Sequence, residues 1–223
     1  MSSLAVGLEA LVNGGVITSS QSSLLSSSGY WDVPQDYTNP YNATVNIGTD
    51  EMIICHVLEF VDASSSSSSK TNPFNSLWLY THQRAYALSF YSFYNLCTFP
   101  IGEPQTPYYR CHSGDLYEVF GTYYIFNQPV RDVHGDIAYT NAVQDIWTSF
   151  AKTGNPNPDM EYLRVRGYES SADFFAGFTF EEFTAGVAKR GGGKVMNLQW
   201  PSPWASQLPD REHCKVLGMT LGS

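Results

Sequence analysis

Apolar side chains recur at helical spacing in two parts of the chain, and a third, shorter apolar run predicts a strand. Between residues 136 and 152 they fall on one helix face, which Gly154 and the prolines after it would end. A second apolar face follows Thr49 or Asp50, either of which can cap a helix. Residues 77–80 form a β-prone run between polar residues, which predicts a buried strand. The second helix would bury Met52, Ile53, Val57, Phe60 and Val61.

The segments between these elements are predicted to be connections. Residues 19–28 are mostly serine and predict a linker, and residues 30–46 are rich in the Asp, Asn and Pro that favour turns. A serine run at 64–69 predicts a surface loop. The uncharged aromatic stretch at 86–99 is either an apolar wall beside a site or core. Residues 116–120 are expected to pack inward.

Composition indicates a globular protein and excludes several classes of function. A chain of 223 residues with 43% hydrophobic and 15% aromatic residues can bury a core, and one domain is expected. The formal net charge of −9 argues against nucleic acid as a partner, because nucleic acid requires basic patches. No run approaches the roughly 18 apolar residues of a membrane span. No signal peptide is visible at the start of the chain.

Candidate chemistry is concentrated in residues 108–121. His112 lies in a short polar turn with Ser113, Gly114 and Asp115, and an apolar, aromatic run closed by glycine follows. An imidazole on an anchored loop can take or give a proton near pH 7, so His112 is a candidate general base. The alternative is a turn histidine that only hydrogen-bonds the backbone.

Three blocks of sequence, in this order, resemble one family. The run H-S-G-D-L-Y-E-V-F-G at 112–121 resembles the catalytic-histidine segment of type-B carboxylesterases, lipases and cholinesterases. The block at 145–158 resembles the helix and turn that follow in that family. The block at 50–55 resembles the helix start that precedes the histidine and carries a disulfide cysteine. The resemblance spans about residues 45–217, and Cys111 beside the histidine is similar to fungal members.

The resemblance implies an α/β fold, the C-terminal part of an α/β-hydrolase with an incomplete central sheet and flanking helices. It divides the chain into residues 1–44, an apolar start with a serine-rich and loop segment, and residues 45–223, the C-terminal part of the esterase domain. The implied activity is hydrolysis of small carboxylic esters by a serine nucleophile, without a cofactor and with His112 as general base. The nucleophilic serine of such enzymes lies in G-x-S-x-G, which these residues lack. The chain is therefore expected to be truncated and inactive alone.

The resemblance also implies an acid that orients the imidazole, well upstream of the histidine. Glu9 lies at about the corresponding distance, although Glu9 equally fits an exposed helix charge. The other acidic residues near the matched blocks are expected to be structural. These are Asp50, Glu51, Asp115 and Glu118.

The four cysteines contain no C-x-x-C pair, so no metal site is expected, and an even number of scattered cysteines suits disulfides in an oxidising compartment. Cys55 and Cys214 lie at positions that resemble the long-range disulfide of the family. Cys97 and Cys111 would then close a short loop before the histidine. The sequon at Asn42 predicts a glycosylated, exposed loop, and together with the resemblance it favours a secreted protein.

Two other interpretations stay open. One is a non-catalytic, cholinesterase-like secreted module that binds a partner through its aromatic, acidic surface. The missing strands would leave a sheet edge unpaired in either case, which predicts self-association. The other is an unrelated secreted globule in which His112 is structural.

Overall fold

The computed structural model describes residues 3–29, 40–65, 74, 76–86, 97–103, 108–183, 193–208 and 211–219. The chain divides into two compact units. The first combines Met1–Asn75 with Pro209–Ser223, and the second is Ser76–Leu208. The division into residues 1–44 and 45–223 that follows from the resemblance stays a prediction.

The first unit is helical in its described residues, and a disulfide between Cys55 and Cys214 joins its two chain segments. Helix α1 packs against α2 and α3, and its buried leucines include Leu8 and Leu11. The elements are α1 (Ser3–Asn13), α2 (Ser19–Ser28), α3 (Pro40–Thr49), a π-helical turn (Asp50–Ile54), α4 (Cys55–Ser65) and α9 (Glu212–Val216).

The serine-rich stretch forms α2, so the predicted linker is wrong. The Thr18 hydroxyl accepts the N–H of Gln21 over 3.2 Å, and the Gln21 side chain accepts the N–H of Thr18 over 2.8 Å. This reciprocal cap satisfies N–H groups that a helix start otherwise leaves unpaired. Leu25 is completely buried, and Gly29 ends the helix with a φ of 72°. The cap and one buried leucine therefore compensate for the poor helix propensity of serine.

The helix predicted to start at Thr49 or Asp50 in fact starts earlier. Helix α3 begins at Pro40 and continues through the π-helical turn into α4. Thr49 has helical dihedrals and makes no side-chain cap. Residues 40–46 are therefore helical and not loop. Proline suits the first turn of a helix because its missing N–H has no partner to lose there.

The buried face of this helix also differs from the predicted one. Of the predicted apolar face, Val61 is buried, whereas four other members are about half exposed or more. Cys55 and Leu58 are buried instead. Because α4 continues from α3, the preceding helix sets the rotation of α4 about its axis and so decides which face is buried. The apolar pattern after residue 49 does not contain this information. The exposed members are Met52, Ile53, Val57 and Phe60.

The second unit holds a small mixed sheet with helices around it. Strand β2 lies in the middle, parallel to β1 with Tyr80 opposite Met196, and antiparallel to β3. The strand predicted at 77–80 is present but lies slightly later. This architecture is α/β and fits part of an α/β-hydrolase fold. The elements are β1 (Tyr80–His82), α5 (Leu116–Phe120), α6 (Asp136–Thr153), α7 (Met160–Arg166), α8 (Glu169–Phe175), β2 (Lys194–Leu198) and β3 (Trp204–Gln207).

Helix α6 confirms the helix predicted at 136–152, and Gly154 ends it with a φ of 72°. Val143 and Ile146 are buried in the main core, although Ile137 and Phe150 are about half exposed. Other core members come from α7, α8 and β2. They include Leu163, Phe174, Met196 and Leu198.

Aromatic residues at both ends of the 86–99 stretch are core. Tyr86 and Phe99 are completely buried and cluster with Tyr117 and Tyr123. Residues 87–96, which make up most of the predicted apolar wall, lie outside the described part of the chain. Among the described residues, no helix combines the length and the apolar character that crossing a membrane requires.

Candidate functional site

Residues 111–115, called here the histidine turn, lie beside the chain that leaves the carboxyl end of β1. The backbone N–H of Tyr86, four residues after the strand, donates to the carbonyl of Gly114 over 2.9 Å. Sites in α/β folds form beyond the carboxyl ends of parallel strands, because the loops there converge. The position of the turn is therefore one at which such a fold places chemistry.

The backbone of the histidine turn is anchored on both sides of His112. The N–H of Gly114 donates to the carbonyl of Cys111 over 3.0 Å, and the N–H of Leu116 donates to Ser113 over 3.2 Å. Cys111 is bonded to Cys97. Ser113 has a φ of 63°, an uncommon value for a residue with a side chain. The sequence predicts a histidine on an anchored loop, and the backbone geometry of the turn agrees with this.

The imidazole of His112 is exposed. Within the described ranges, the structure shows no hydrogen bond or ion pair of this side chain. An exposed imidazole can meet an incoming group, and a general base needs one such accessible nitrogen. The prediction that residues 116–120 pack inward holds for Tyr117 and Glu118, whereas Leu116 and Phe120 are exposed.

The carboxylate of Asp115 lies near His82, a residue that the sequence patterns do not single out. Asp115 occupies the position before α5 but makes no side-chain cap there. Its Oδ2 lies 3.9 Å from Nε2 of His82, at the end of β1. The other ring nitrogen of His82 lies 3.1 Å from the Tyr139 hydroxyl, which donates to the carbonyl of Leu198 over 3.0 Å. Burial lowers the pKa of His82, and the nearby Asp115 opposes this effect.

A buried polar network joins the chain after β1 to the start of α6. The completely buried Asp136 carboxylate accepts from the Arg84 guanidinium and the Tyr86 hydroxyl. It also accepts the backbone N–H groups of Arg131 over 2.7 Å and Asp132 over 2.9 Å. Burial and the Asp136 carboxylate raise the pKa of Tyr86, so its hydroxyl stays a donor. The network therefore holds the strand end that contacts the histidine turn.

Glu118 in α5 is a completely buried acid close to the turn. Burial raises its pKa to about 8, against smaller opposing contributions from the Tyr123 hydroxyl and Arg84. Among the described residues, neither carboxylate oxygen has a partner at full hydrogen-bond geometry. A carboxyl in such surroundings is protonated near neutral pH. We expect it to act on stability, in line with the structural role predicted for it.

The candidate orienting acid lies in the other unit. Glu9 is exposed on α1, whereas His112 belongs to the second unit. Its role toward the imidazole therefore stays a prediction. Asp50 lies 3.8 Å from Nε2 of His213 in the first unit, which agrees with a structural role.

The Cys55–Cys214 disulfide implied by the resemblance and the Cys97–Cys111 disulfide predicted for the remaining pair are both present in the structure. Cys55, His213 and Cys214 bring three potential metal-ligand atoms within 4.8 Å of one another. The two sulfurs are bonded to each other, however, and a metal ligand must be a thiolate. Asn42 of the sequon lies half-buried in α3 and not in the expected exposed loop.

The second unit thus combines a parallel strand pair, a packed helix and an anchored turn that exposes one histidine beyond a strand end. These features define the partial α/β-hydrolase class. The family model for carboxylesterases matches residues 17–185, and the chain belongs to the carboxylesterase family. No curated protein and no solved structure matches it significantly.

Proposed function

We propose that this chain carries the histidine-bearing part of a carboxylic ester hydrolase and that His112 is its general base. Membership in the carboxylesterase family supports ester chemistry. The observation that carries the proposal is the anchored turn, which exposes the imidazole beyond the end of β1. A fixed backbone and an exposed ring support this role, because a general base must be held in place and be accessible.

In the proposed reaction, one imidazole nitrogen of His112 takes the proton of a serine hydroxyl as the serine attacks the ester carbonyl. The imidazolium then returns the proton to the alkoxide as the alcohol leaves, and a water molecule is activated in the same way to release the acid. Glu9 is the proposed acid that would orient the ring. The proposal assigns the serine to residues outside this chain, because the 223 residues hold no G-x-S-x-G.

Hydrolysis of p-nitrophenyl acetate and butyrate tests the prediction that the chain is inactive alone. We expect wild type, His112→Ala and the exposed-histidine control His134→Ala to give the same background rate. A fluorophosphonate probe should label no serine. If wild type alone were active, with one labelled serine and loss of activity in His112→Ala, a nucleophile would lie within these residues and the truncation would be refuted.

A chimera tests the general-base role directly. Residues 97–121 would replace the corresponding segment of an active type-B carboxylesterase, which supplies the serine and the oxyanion donors. We expect His112→Ala in the chimera to lower kcat by about 10³-fold or more, as loss of a triad member does. The exposed neighbour Arg110→Ala is the matched control and should retain activity. An active His112→Ala chimera would refute the role of His112.

A second candidate function is partner binding, and one observation favours it. Four apolar residues of the π-helical turn and α4 are each about half exposed or more, namely Met52, Ile53, Val57 and Phe60. Exposed apolar patches mark contact surfaces. The partner we propose is a second copy of the chain. Sedimentation should show association that rises with concentration and is abolished by Val57→Lys, but not by Val165→Lys on α7. A monomer at every concentration would refute this candidate.

We also propose that the protein is secreted. The two disulfides and the sequon at Asn42 support an oxidising compartment. Expression in a secreting eukaryotic host should give a glycosidase-sensitive mass increase that Asn42→Gln removes and Asn46→Gln does not. Absence of the increase would refute glycosylation at this position.

A further inference from the structure

His82, Tyr139 and Leu198 form a short hydrogen-bonded chain that points from the core toward Asp115. The Tyr139 hydroxyl lies 3.0 Å from the carbonyl oxygen of Leu198 and 3.1 Å from Nδ1 of His82. Nε2 of His82 lies 3.9 Å from Oδ2 of Asp115 and forms no hydrogen bond within the described part of the chain. His82 is nearly buried, and its side chain is 11% exposed.

The number of protons shared by His82 and Tyr139 decides which of these hydrogen bonds form. A hydroxyl has one proton, so Tyr139 donates either to Leu198 or to His82, but not to both. With neutral His82 protonated on Nδ1, the Nε2 lone pair faces the Asp115 carboxylate. With neutral His82 protonated on Nε2, the contact between Tyr139 and Leu198 is lost, because the hydroxyl must donate to Nδ1.

The imidazolium form of His82 satisfies all three contacts. Its Nδ1–H then donates to Tyr139, the Tyr139 hydroxyl donates to Leu198, and Nε2–H faces the Asp115 carboxylate. Asp115 directly precedes α5 and makes no cap to it, so its carboxylate is available to His82. Protonation therefore strengthens the connection between β1 and the segment that bears His112.

We propose that His82 is a positioning residue, which fixes the histidine turn against β1 through Asp115 when its imidazole takes up a proton. The contact between His82 and Asp115 does not depend on the proposed function. Its consequence for catalysis does, because it requires that His112 is the general base. A fixed turn would hold the His112 imidazole in one place relative to the strand end.

Within the described residues, the groups shown to face His82 come from three elements. Asp115 before α5 favours the imidazolium, and Tyr139 of α6 contacts Nδ1. Tyr80 of β1 itself places its ring 5.6 Å from the imidazole, and Trp147 of α6 lies at the same distance. Asp115 is the only fully charged group among these neighbours, so its removal should change the titration of His82 most.

The first experiment follows the titration of His82 in the intact chain by NMR of ¹³C,¹⁵N-histidine. Asp115→Asn keeps the shape of the side chain but removes the charge, and we expect the midpoint of His82 to fall by about one pH unit. The matched control is Asp159→Asn, since Asp159 is an exposed acid whose side chain caps α7. An unchanged midpoint in Asp115→Asn would overturn the proposed pair.

A measurement on wild type keeps this test valid if Asp115→Asn does not fold. The ¹³Cγ resonance of Asp115 should change with the same midpoint as the His82 ring, since each group reports the charge of the other. Independent midpoints would overturn the pair. His82→Asn assigns the His82 resonance by its loss.

The second experiment tests the effect on the turn. Hydrogen exchange at the amides of Gly114 and Leu116, corrected for intrinsic pH dependence, should slow as the pH falls through the His82 midpoint. We expect about a threefold effect, because a partly exposed ion pair contributes little to stability. Asp115→Asn should abolish the effect.

Protection that does not depend on the protonation of His82, or that persists in Asp115→Asn, would overturn the positioning role. Neither readout requires ester hydrolysis. An active His112→Ala chimera would refute the general-base role of His112 but would leave the NMR titration and the hydrogen exchange unchanged. Failure of the proposed function is therefore distinguishable from failure of the positioning role.

Discussion

The backbone N–H of Tyr86 donates to the carbonyl of Gly114 over 2.9 Å, and this bond joins the chain after β1 to the histidine turn. The approach is close because Gly114 has no side chain. A Cβ on Gly114 would lie 2.8 Å from Cβ of Ala85 and 2.9 Å from the carbonyl oxygen of Tyr86. Contact between two backbone segments therefore sets the position of His112 without involving its imidazole.

Gly114→Ala should destabilise the protein by about 2 kcal/mol, because overpacking at a rigid backbone contact forces the turn away from the strand end. Urea denaturation measures the change in free energy of unfolding. Gly177→Ala is the matched control, since a Cβ there meets no atom within 4 Å. Equal effects at the two glycines would contradict the proposed contact.

Asp136→Ala should lower the free energy of unfolding by about 3–5 kcal/mol, because it leaves the Arg84 guanidinium buried without its main counter-charge. The double variant Asp136→Ala/Arg84→Met should recover part of the loss. Asp173→Ala, on the exposed side of α8, serves as the control and should change stability by less than about 0.5 kcal/mol. Thermal and urea unfolding check these values. Similar losses in the single and double variants would argue against the network.

Glu118→Gln should change the pH dependence of stability. The pKa of Glu118 is raised from 4.5 to about 8, so the folded state holds a proton that the unfolded state releases between these values. Wild type therefore loses stability as the pH rises through this window, and the neutral amide does not. The stability of Glu118→Gln relative to wild type should rise between pH 5 and 8 by about 2–4 kcal/mol.

Denaturation curves at pH 5, 6.5 and 8 measure this difference. Glu161→Gln in the first turn of α7 changes the same charge at an exposed position and should follow wild type. A constant difference between Glu118→Gln and wild type across the three pH values would show that Glu118 does not titrate in this window.

Thr18→Ala should destabilise the first unit by about 1 kcal/mol, because the backbone N–H of Gln21 at the start of α2 loses the hydroxyl that accepts it. Thr18→Ser retains the hydroxyl and should stay close to wild type. Hydrogen exchange at the amides of residues 21–25 reports the fraying of the helix. If Thr18→Ala and Thr18→Ser exchanged alike, the cap would contribute nothing to α2.

Local pattern was sufficient where one element carries its own signals. Helix α6 has apolar residues at helical spacing and a terminating glycine, and both its extent and its end were predicted. The anchored turn around His112 was also predicted, because polar turn residues followed by an apolar run are a local signal. The family resemblance identified the matched blocks and the Cys55–Cys214 pair, and the Cys97–Cys111 pair was predicted as the one that remained.

Local pattern failed at two helices, one that a side-chain cap and one buried leucine stabilise and one whose rotation the preceding helix sets. Residues 19–28 read as a linker, yet a two-residue cap and the burial of Leu25 make them helical. The rotation of α4 follows from continuous helix through residues 50–54, so the predicted face is largely exposed.

By itself, the sequence determined the family, the position of α6 and the histidine on which the proposed chemistry depends. Only the tertiary structure decided that Asp115 faces His82 and that Arg84 and Tyr86 share Asp136. These pairs are far apart along the chain, and they form only when β1, the histidine turn and α6 pack together. Hydrogen bonds and ion pairs depend on distances of a few ångströms, and sequence spacing does not set such distances between separate elements.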